Sequence, residues 1–183
     1  NAVQGPNDHI YVADQSEDTV YEFSSDGAFL GVFVTAAEGL DNLRGIHFAG
    51  GDLFVSVGGT QLVARFDLNG NRLNDFVDDS SNPFDILFLD SGEMLMSNIK
   101  IPEGIRLYAA GGQSYTELHS VEFPEQLNLT AAGTILVASF SESVVKELDL
   151  SGTVLRTVDV DNARGCWELE NGHWLVTGSG NGV

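Results

Sequence analysis

Apolar and polar residues alternate in short runs along this chain, and turns rich in glycine separate the runs at regular intervals. In each copy of the pattern a branched aliphatic residue precedes a bulky apolar residue by three positions. A turn glycine follows the bulky residue by four positions, and another apolar residue comes three positions later. The pattern starts at Val20, Val63, Ile105 and Val145, so successive copies are offset by 43, 42 and 40 residues. A fixed period of this size indicates an array of repeated structural units.

Each unit contains four short runs whose period-two alternation is typical of strands joined by tight turns. The fourth run of each unit is predicted at 29–34, 72–77, 115–121 and 154–160. No window has the pattern of a helix of ordinary length. Four-stranded antiparallel units of about 40 residues predict an all-β fold, a β-propeller. An immunoglobulin-like sandwich also has short strands, but it gives no reason for the same columns to recur.

The repeat predicts a single domain of about four and a half blades. The predicted blades are 1–42, 43–82, 83–123, 124–163 and a partial blade over 164–183. The spacing of the earlier units places the next third strand near position 184. Because open sheet edges are normally protected, either the sequence is part of a larger propeller, for example of six blades, or a neighbouring chain supplies the missing strands. The first alternative is favoured.

The first unit carries a specific order of motifs. It reads Ile10-Tyr11-Val12-Ala13-Asp14, then Val20-Tyr21-Glu22-Phe23, then Asp26-Gly27 and Phe29-Leu30. This order resembles the repeats of NHL-type and related six-bladed propellers, among them TolB-like and gluconolactonase-like proteins. The resemblance covers the whole chain as a repeat pattern. It implies the propeller fold and no single activity, because many superfamilies share it.

Composition narrows the classes of partner. The chain has 27 Asp and Glu against 8 Lys and Arg, a formal charge of −19. Such a balance repels nucleic-acid phosphates and disfavours anionic membranes, and no apolar run approaches the roughly 18 residues of a membrane helix. The acidity fits a soluble, self-repelling surface, a salt-adapted source or binding of divalent cations. The single cysteine, Cys166, excludes an internal disulfide and a thiolate zinc cluster, and its apolar neighbours predict a buried thiol.

Polar residues recur where the first strands begin and where the second strands end, two sets of positions that meet at one face of a propeller. This face is the predicted ligand mouth, for a protein or small-molecule ligand. The predicted mouth residues are Asp14, Arg44, Asp85, Asn98, Glu125, Gln126, Ser139 and Arg164.

Four of these mouth residues carry oxygen atoms that suit a hard cation. Asp14, Asp85, Asn98 and Glu125 form a candidate site for Ca²⁺ or Mg²⁺. By residue class and predicted position this set resembles the acid-and-amide metal site of gluconolactonase-type propellers, although that family's flanking motifs are missing. The alternative, which is favoured, is that these groups satisfy one another and axial water.

The histidines do not share a repeat column, so a three-histidine zinc site is unsupported. His47 lies in a first strand and could serve as the base of a site similar to that of streptogramin lyases. A hydrogen-bonded core histidine is the favoured alternative. The leading hypothesis is therefore a non-catalytic binding or scaffold module in an extracellular or periplasmic location. The alternatives are a metal-dependent lactonase or lyase, and a structural protein that self-associates through its incomplete blade.

Overall fold

The computed structural model describes residues 1–180, which fold into five successive antiparallel sheets. The first strands of consecutive sheets lie side by side, so these strands surround a common axis. Within residues 1–180 the only helical element is one 3₁₀ turn, Ala36–Glu38. None of the described residues belongs to a helix long and apolar enough to cross a membrane. The protein is an all-β propeller of four-stranded antiparallel blades, as the repeat predicts.

Blades one and two begin the array. Blade one pairs its strands in chain order: β1 (Ala2–Gln4), β2 (Ile10–Asp14), β3 (Thr19–Phe23) and β4 (Phe29–Val34). Blade two pairs β5 (Leu43–Ala49), β6 (Asp52–Val57) and β7 (Leu62–Phe66).

Blades three and four are complete, and the fifth sheet contains two strands among the described residues. Blade three pairs β8 (Pro83–Phe88), β9 (Met94–Asn98), β10 (Gly104–Tyr108) and β11 (Tyr115–Ser120). Blade four pairs β12 (Pro124–Leu129), β13 (Ile135–Ser139), β14 (Val144–Leu148) and β15 (Val154–Asp159). The half-blade pairs β16 (Ala163–Glu168) with β17 (Trp174–Gly178), and the last positions of its predicted range, 181–183, lie outside the described residues.

The fourth strand predicted for blade two, 72–77, is not a continuous strand. Two isolated bridges, Val63 to Val77 and Phe66 to Arg72, replace it. Arg72 pairs with Asp75 three residues later, at 2.6 Å, and its guanidinium lies over the Phe66 ring at 5.5 Å. These local contacts accompany a bend in segment 72–77, and only the two ends of the segment remain in the sheet.

The repeated turn glycine has a second role in the later blades. Gly112 and Gly152 have positive φ, as their hairpin turns require. A Cβ at either position would also collide with the backbone carbonyl of the preceding blade, 2.8 Å from the carbonyl carbon of Phe76 and 2.7 Å from that of Leu118. Gly27, in blade one, has positive φ but open space where its Cβ would lie. The glycine column therefore sets how closely consecutive blades pack.

The hydrophobic core consists of layers between consecutive blades. Repeat-equivalent positions show this directly: Leu53, Met94 and Ile135 are fully buried against the preceding blade, whereas Ile10 of blade one is only partly buried. The opposite sheet face behaves in the same way. Tyr11, Phe54, Leu95 and Leu136 are at most 4% exposed, whereas the equivalent Leu175 of the half-blade is 56% exposed. Blade one and the half-blade thus each present an apolar sheet face that the inner blades bury.

Candidate ligand-binding site at the propeller axis

A cavity of about 460 Å³ opens where the first strands begin. We call it the mouth cavity. Its polar lining combines two guanidinium groups, a carboxyl group and amide groups, and two aromatic rings complete the wall. It is lined by Asn1, Ala2, Ala13, Gln15, Leu43, Arg44, Gly45, Phe84, Asp85, Gln126, Arg164 and Trp167.

Arg44 reaches the mouth cavity from β5 and is held by uncharged acceptors. Its Nη1 donates to Asn82 Oδ1 at 2.9 Å and to the carbonyl oxygen of Pro83 at 3.3 Å. The guanidinium also lies over the Phe84 ring, 5.2 Å from its centroid. These contacts fix the guanidinium plane and leave its positive charge available to a ligand.

Arg164 reaches the same cavity from β16 and forms an ion pair with a buried carboxylate. Its Nη1 donates to Glu125 Oε1 at 2.7 Å, and its guanidinium lies 4.5 Å from the Phe140 ring centroid. Burial raises the pKa of the Glu125 carboxyl, although the charges of Arg164 and Arg44 oppose the rise. Glu125 is 3% exposed and the Arg164 side chain is 49% exposed. The arginine, rather than the glutamate, is therefore the group that faces solvent.

Asp85 is a nearly buried carboxyl group at the narrow part of the axis. Its Oδ2 accepts a hydrogen bond from the backbone N–H of Leu127 at 3.0 Å, and its Oδ1 accepts one from Asn1 at 3.3 Å. A Cβ at Gly45 would overlap this carboxyl group, so the glycine allows blades two and three to approach each other here. Burial raises the pKa of Asp85 to about 6.

A second cavity, also about 460 Å³, continues along the axis below Asp85. We call it the axial cavity. It shares Asn1, Ala2, Asp85, Gln126 and Trp167 with the mouth cavity. Below these residues the lining is mostly aliphatic and aromatic. Its remaining lining residues are Val3, Gln4, Ile46, His47, Ile86, Leu87, Phe88, Leu127, Asn128 and Leu129.

Three predicted mouth residues hold loops together and do not line the mouth cavity. Asp14 Oδ1 accepts hydrogen bonds from the backbone N–H groups of the next turn, Ser16 at 2.8 Å and Glu17 at 3.2 Å. Asn98 Nδ2 donates to backbone carbonyls of the loop after β9, and Ser139 Oγ donates to the carbonyl oxygen of Glu122 at 2.6 Å. Asn98 and Ser139 are fully buried. Of the eight predicted mouth residues, Arg44, Asp85, Gln126 and Arg164 line the cavity, and Glu125 lies behind Arg164.

The predicted metal ligands are not brought together. In the part of the chain that the structure describes, no group of three or more His, Cys, Asp or Glu side chains is arranged to hold a metal ion. Asp14 and Asn98 are used by their loops, while Glu125 is paired with Arg164. The physical reason is that each oxygen group already has a nearer partner: Asp14 and Asn98 bond within their own loops, whereas Glu125 pairs with a cation of the next blade. This arrangement gives no support to the predicted Ca²⁺ or Mg²⁺ site.

Two further groups of chemical interest lie near the axis. His47 lines the axial cavity, stacks near Phe88 with ring centroids 5.8 Å apart, and has a pKa lowered by burial. Cys166 is 1% exposed, as its apolar neighbours predict, and burial raises the pKa of its thiol to about 12. The thiol is therefore protonated at physiological pH and is not an activated nucleophile.

Sequence reasoning missed the aromatic part of the site. Phe84 and Trp167 both line the mouth cavity, and Trp167 is 53% exposed. Asn1 and Gln15 were also missed. A signal for Trp167 was present, since it directly follows Cys166, which packs against blade four, and alternation along the strand places adjacent side chains on opposite faces. Only the absence of a following sheet in the described residues makes that side accessible.

Comparisons with known proteins identify the fold. No protein-family model matches the chain, and no curated protein matches its sequence. A solved protein of unknown function from Bacteroides caccae is 19% identical with a TM-score of 0.69, covering 92% of this chain and 66% of its own. Virginiamycin B lyase from Staphylococcus aureus, solved with quinupristin, is 9% identical with a TM-score of 0.74, covering 96% and 61%.

A chain of the nidogen/laminin complex is also similar, at 17% identity with a TM-score of 0.72, covering 82% of this chain and 59% of its own. The chain thus spans about three fifths to two thirds of the length of these structures. One of them is a lyase and another belongs to a protein–protein complex, so the shared fold does not select an activity. The likeness establishes that this chain has the β-propeller fold.

Proposed function

We propose that this chain is a non-catalytic binding module that takes a small organic anion in the mouth cavity. The observation that carries the proposal is the convergence of Arg44 and Arg164, from blade two and the half-blade, on one cavity. Gln126 and Asn1 add amide groups beside them. Guanidinium groups recognise carboxylates through two parallel hydrogen bonds, which gives both strength and orientation.

The distribution of charge supports an anionic ligand. The chain carries a formal charge of −19, yet two of its eight basic residues line this cavity. Glu125 offsets one positive charge, and Asp85 offsets the other when it is ionised. Because the pKa of Asp85 is about 6, the cavity becomes more positive as the pH falls below this value. We therefore expect tighter anion binding at pH 5 than at pH 7.5.

The groups that line the mouth cavity support a binding role without catalysis. The polar groups at the mouth are held by one another or by backbone, and the thiol nearest the axis is buried and protonated. A location outside the cytoplasm is part of the proposal, and its support is the acidic composition of the chain.

Replacing Arg44 by glutamine tests the proposal. Arg44→Gln should weaken binding of benzoate about 10- to 100-fold, the usual effect of losing one charge-assisted hydrogen bond. Arg44 is the better choice because its loss leaves no buried carboxylate unpaired, unlike loss of Arg164. Binding can be followed by tryptophan fluorescence, because Trp167 lines the cavity and the second tryptophan, Trp174, does not.

Arg156→Gln is the matched control for the benzoate titration. Arg156 is exposed on blade four, where it lies 3.6 Å from the Trp174 ring centroid and outside the mouth cavity. The affinity of the Arg156→Gln variant for benzoate should equal that of the unchanged protein. Equal affinity in the Arg44 variant, or equal weakening in both variants, would contradict the proposed site.

Self-association is a second candidate function, favoured by the apolar faces of blade one and the half-blade, which no other sheet covers within residues 1–180. Leu175 is 56% exposed although its equivalents in the other blades are buried. Its neighbour across the strand pair, Trp167, is exposed on the same face. In this candidate a neighbouring copy of the chain covers these faces, as blades cover each other within the array.

Leu175→Lys tests self-association. The substitution places a charge on the face that an adjoining copy would bury, so a mass that rises with concentration in light scattering should return to the monomer value. The control is Leu155→Lys, because Leu155 is equally exposed, at 53%, but lies on the outer strand β15. A strictly monomeric unchanged protein, or the same effect from both substitutions, would remove the self-association candidate.

A further inference from the structure

The mouth cavity and the axial cavity form one continuous path along the axis. They share five lining residues, and Asp85 and Gln126 mark the transition between them. Above the transition the lining carries guanidinium groups. Below it the lining is dominated by apolar side chains, among them Ile46, Ile86 and Leu129. The path therefore changes from charged to apolar along its length.

Three polar side chains at and below the transition already accept hydrogen bonds within the protein. Asp85 accepts from Leu127 and Asn1, and Gln126 Oε1 accepts from the backbone N–H of Cys166 at 3.1 Å. Asn128 Oδ1 accepts from the backbone N–H of Glu168 at 3.1 Å. Apart from these groups, Gln4 and the imidazole of His47, the lining is apolar, so a ligand entering this part gains most by burying apolar surface.

The length of the path can be read from strand β8. Phe84 lines the mouth cavity and Phe88 lines the lower end of the axial cavity. Four residues of strand at about 3.3 Å per residue give a path of about 13 Å. An extended medium-length alkyl chain, such as that of decanoate, has a similar length.

We propose that the ligand is an amphipathic anion whose carboxylate lies between Arg44 and Arg164 and whose alkyl chain extends past Asp85 into the axial cavity. This inference rests on the proposed anion-binding function and adds the chemical class of the ligand. The alkyl chain of such a ligand contacts aliphatic side chains from β5, β8 and β12, on both sides of the path. The aromatic rings of Phe84 and Trp167 cover its first carbon atoms at the mouth.

A series of carboxylates tests the inference with the unchanged full chain. Acetate, butanoate, hexanoate, octanoate and decanoate are titrated below their micelle concentrations and followed by tryptophan fluorescence. Each added methylene group should tighten the dissociation constant about three- to fourfold, the value for burying one such group. Arg44→Gln should weaken every member of the series by the same factor, because it affects only the carboxylate end.

A second variant separates the two ends of the ligand. Leu129→Gln places a polar group in the axial cavity and should reduce the gain per methylene group while leaving acetate binding unchanged. The control is Leu62→Gln, because Leu62 is also a partly buried leucine but packs in the layer between blades one and two. That variant should keep the full dependence on chain length. A thermal unfolding curve for each variant confirms that it is folded.

The outcomes distinguish the inference from the proposed function. Binding that depends on Arg44 but not on chain length would overturn the amphipathic ligand and leave the anion site in place. No binding of any carboxylate would overturn both. A dependence on chain length that survives unchanged in Leu129→Gln would place the alkyl chain outside the axial cavity, for example on the apolar faces of the outer sheets, and would also overturn the inference.

Discussion

Gly152→Ala is expected to lower the free energy of unfolding by about 2–5 kcal/mol, because it combines a left-handed backbone, at about 1–2 kcal/mol, with overpacking, at about 1–3 kcal/mol. Gly152 has φ of 86°. A Cβ there would lie 2.7 Å from the carbonyl carbon of Leu118 in the preceding blade, and closer still to its oxygen. Backbone cannot move away as a flexible side chain would, so blades three and four would have to separate.

Gly27→Ala is the matched control for that substitution. Gly27 occupies the same repeat position with φ of 87°, but no atom lies within 4 Å of its Cβ direction. The Gly27→Ala variant should therefore lose only the free energy of the left-handed backbone, about 1–2 kcal/mol. Urea unfolding of both variants measures the difference. Equal losses would show that blade spacing does not depend on this glycine column.

Asp85→Asn is expected to raise the free energy of unfolding by up to about 3 kcal/mol at pH 7.5. The pKa of Asp85 is about 6 in the folded protein because burial disfavours the charged form. The ordinary value is about 3.9, and each unit of difference corresponds to about 1.4 kcal/mol. An asparagine keeps an oxygen to accept the hydrogen bond of the Leu127 N–H and carries no charge.

The sign of the pH dependence follows from the raised pKa. The folded protein binds the proton of Asp85 more tightly than the unfolded chain does, so this group stabilises the fold fully below about pH 4. That contribution is lost as the pH rises through about 6. The unchanged protein and the Asp85→Asn variant should therefore have similar stability near pH 4 and diverge between pH 4 and pH 7.

Unfolding curves measured at several pH values test this expectation, with Asp90→Asn as control. Asp90 is an exposed residue in the turn after β8, so its substitution makes the same change of side chain away from the axis and serves as the baseline. A constant difference between the Asp85 variant and the unchanged protein across this range would show that the carboxyl group has the same pKa in the folded and unfolded states, and would contradict the expectation. The same variant should also remove the tighter anion binding expected at pH 5.

The repeat made most of the scaffold predictable. Spacing located the first three strands of the four longer units and the two strands of the half-blade, because alternation and turn glycines are local properties of the sequence. It failed at 72–77, where Arg72 pairs with Asp75 and bends the segment out of the sheet. Spacing also marked Gly112 and Gly152 as turn residues, but their contact with the preceding blade is visible only when the blades are placed side by side.

The candidate site was predictable in location and only partly in composition. Residues that enter the first strands, such as Arg44 and Arg164, do reach the mouth cavity, because the direction of a side chain at a strand start follows from the strand. Residues that leave the second strands, such as Asp14 and Asn98, do not line it, because short polar side chains bond to the backbone of the loop that follows. Whether such a side chain bonds to its own loop or faces the cavity cannot be predicted from its residue type alone.

By itself, the sequence determined the repeat, the strand pattern, the propeller and the face on which a site would lie. These features depend on periodic burial, and the same periodic pattern recurs in each unit of the sequence. The tertiary structure decided that Arg164 faces the mouth cavity while Glu125 is buried behind it, that Asp85 is nearly buried with a pKa of about 6, and that an apolar path continues below. These properties arise between blades, from groups some 40 positions apart in the chain, whose distances are set only when the sheets pack.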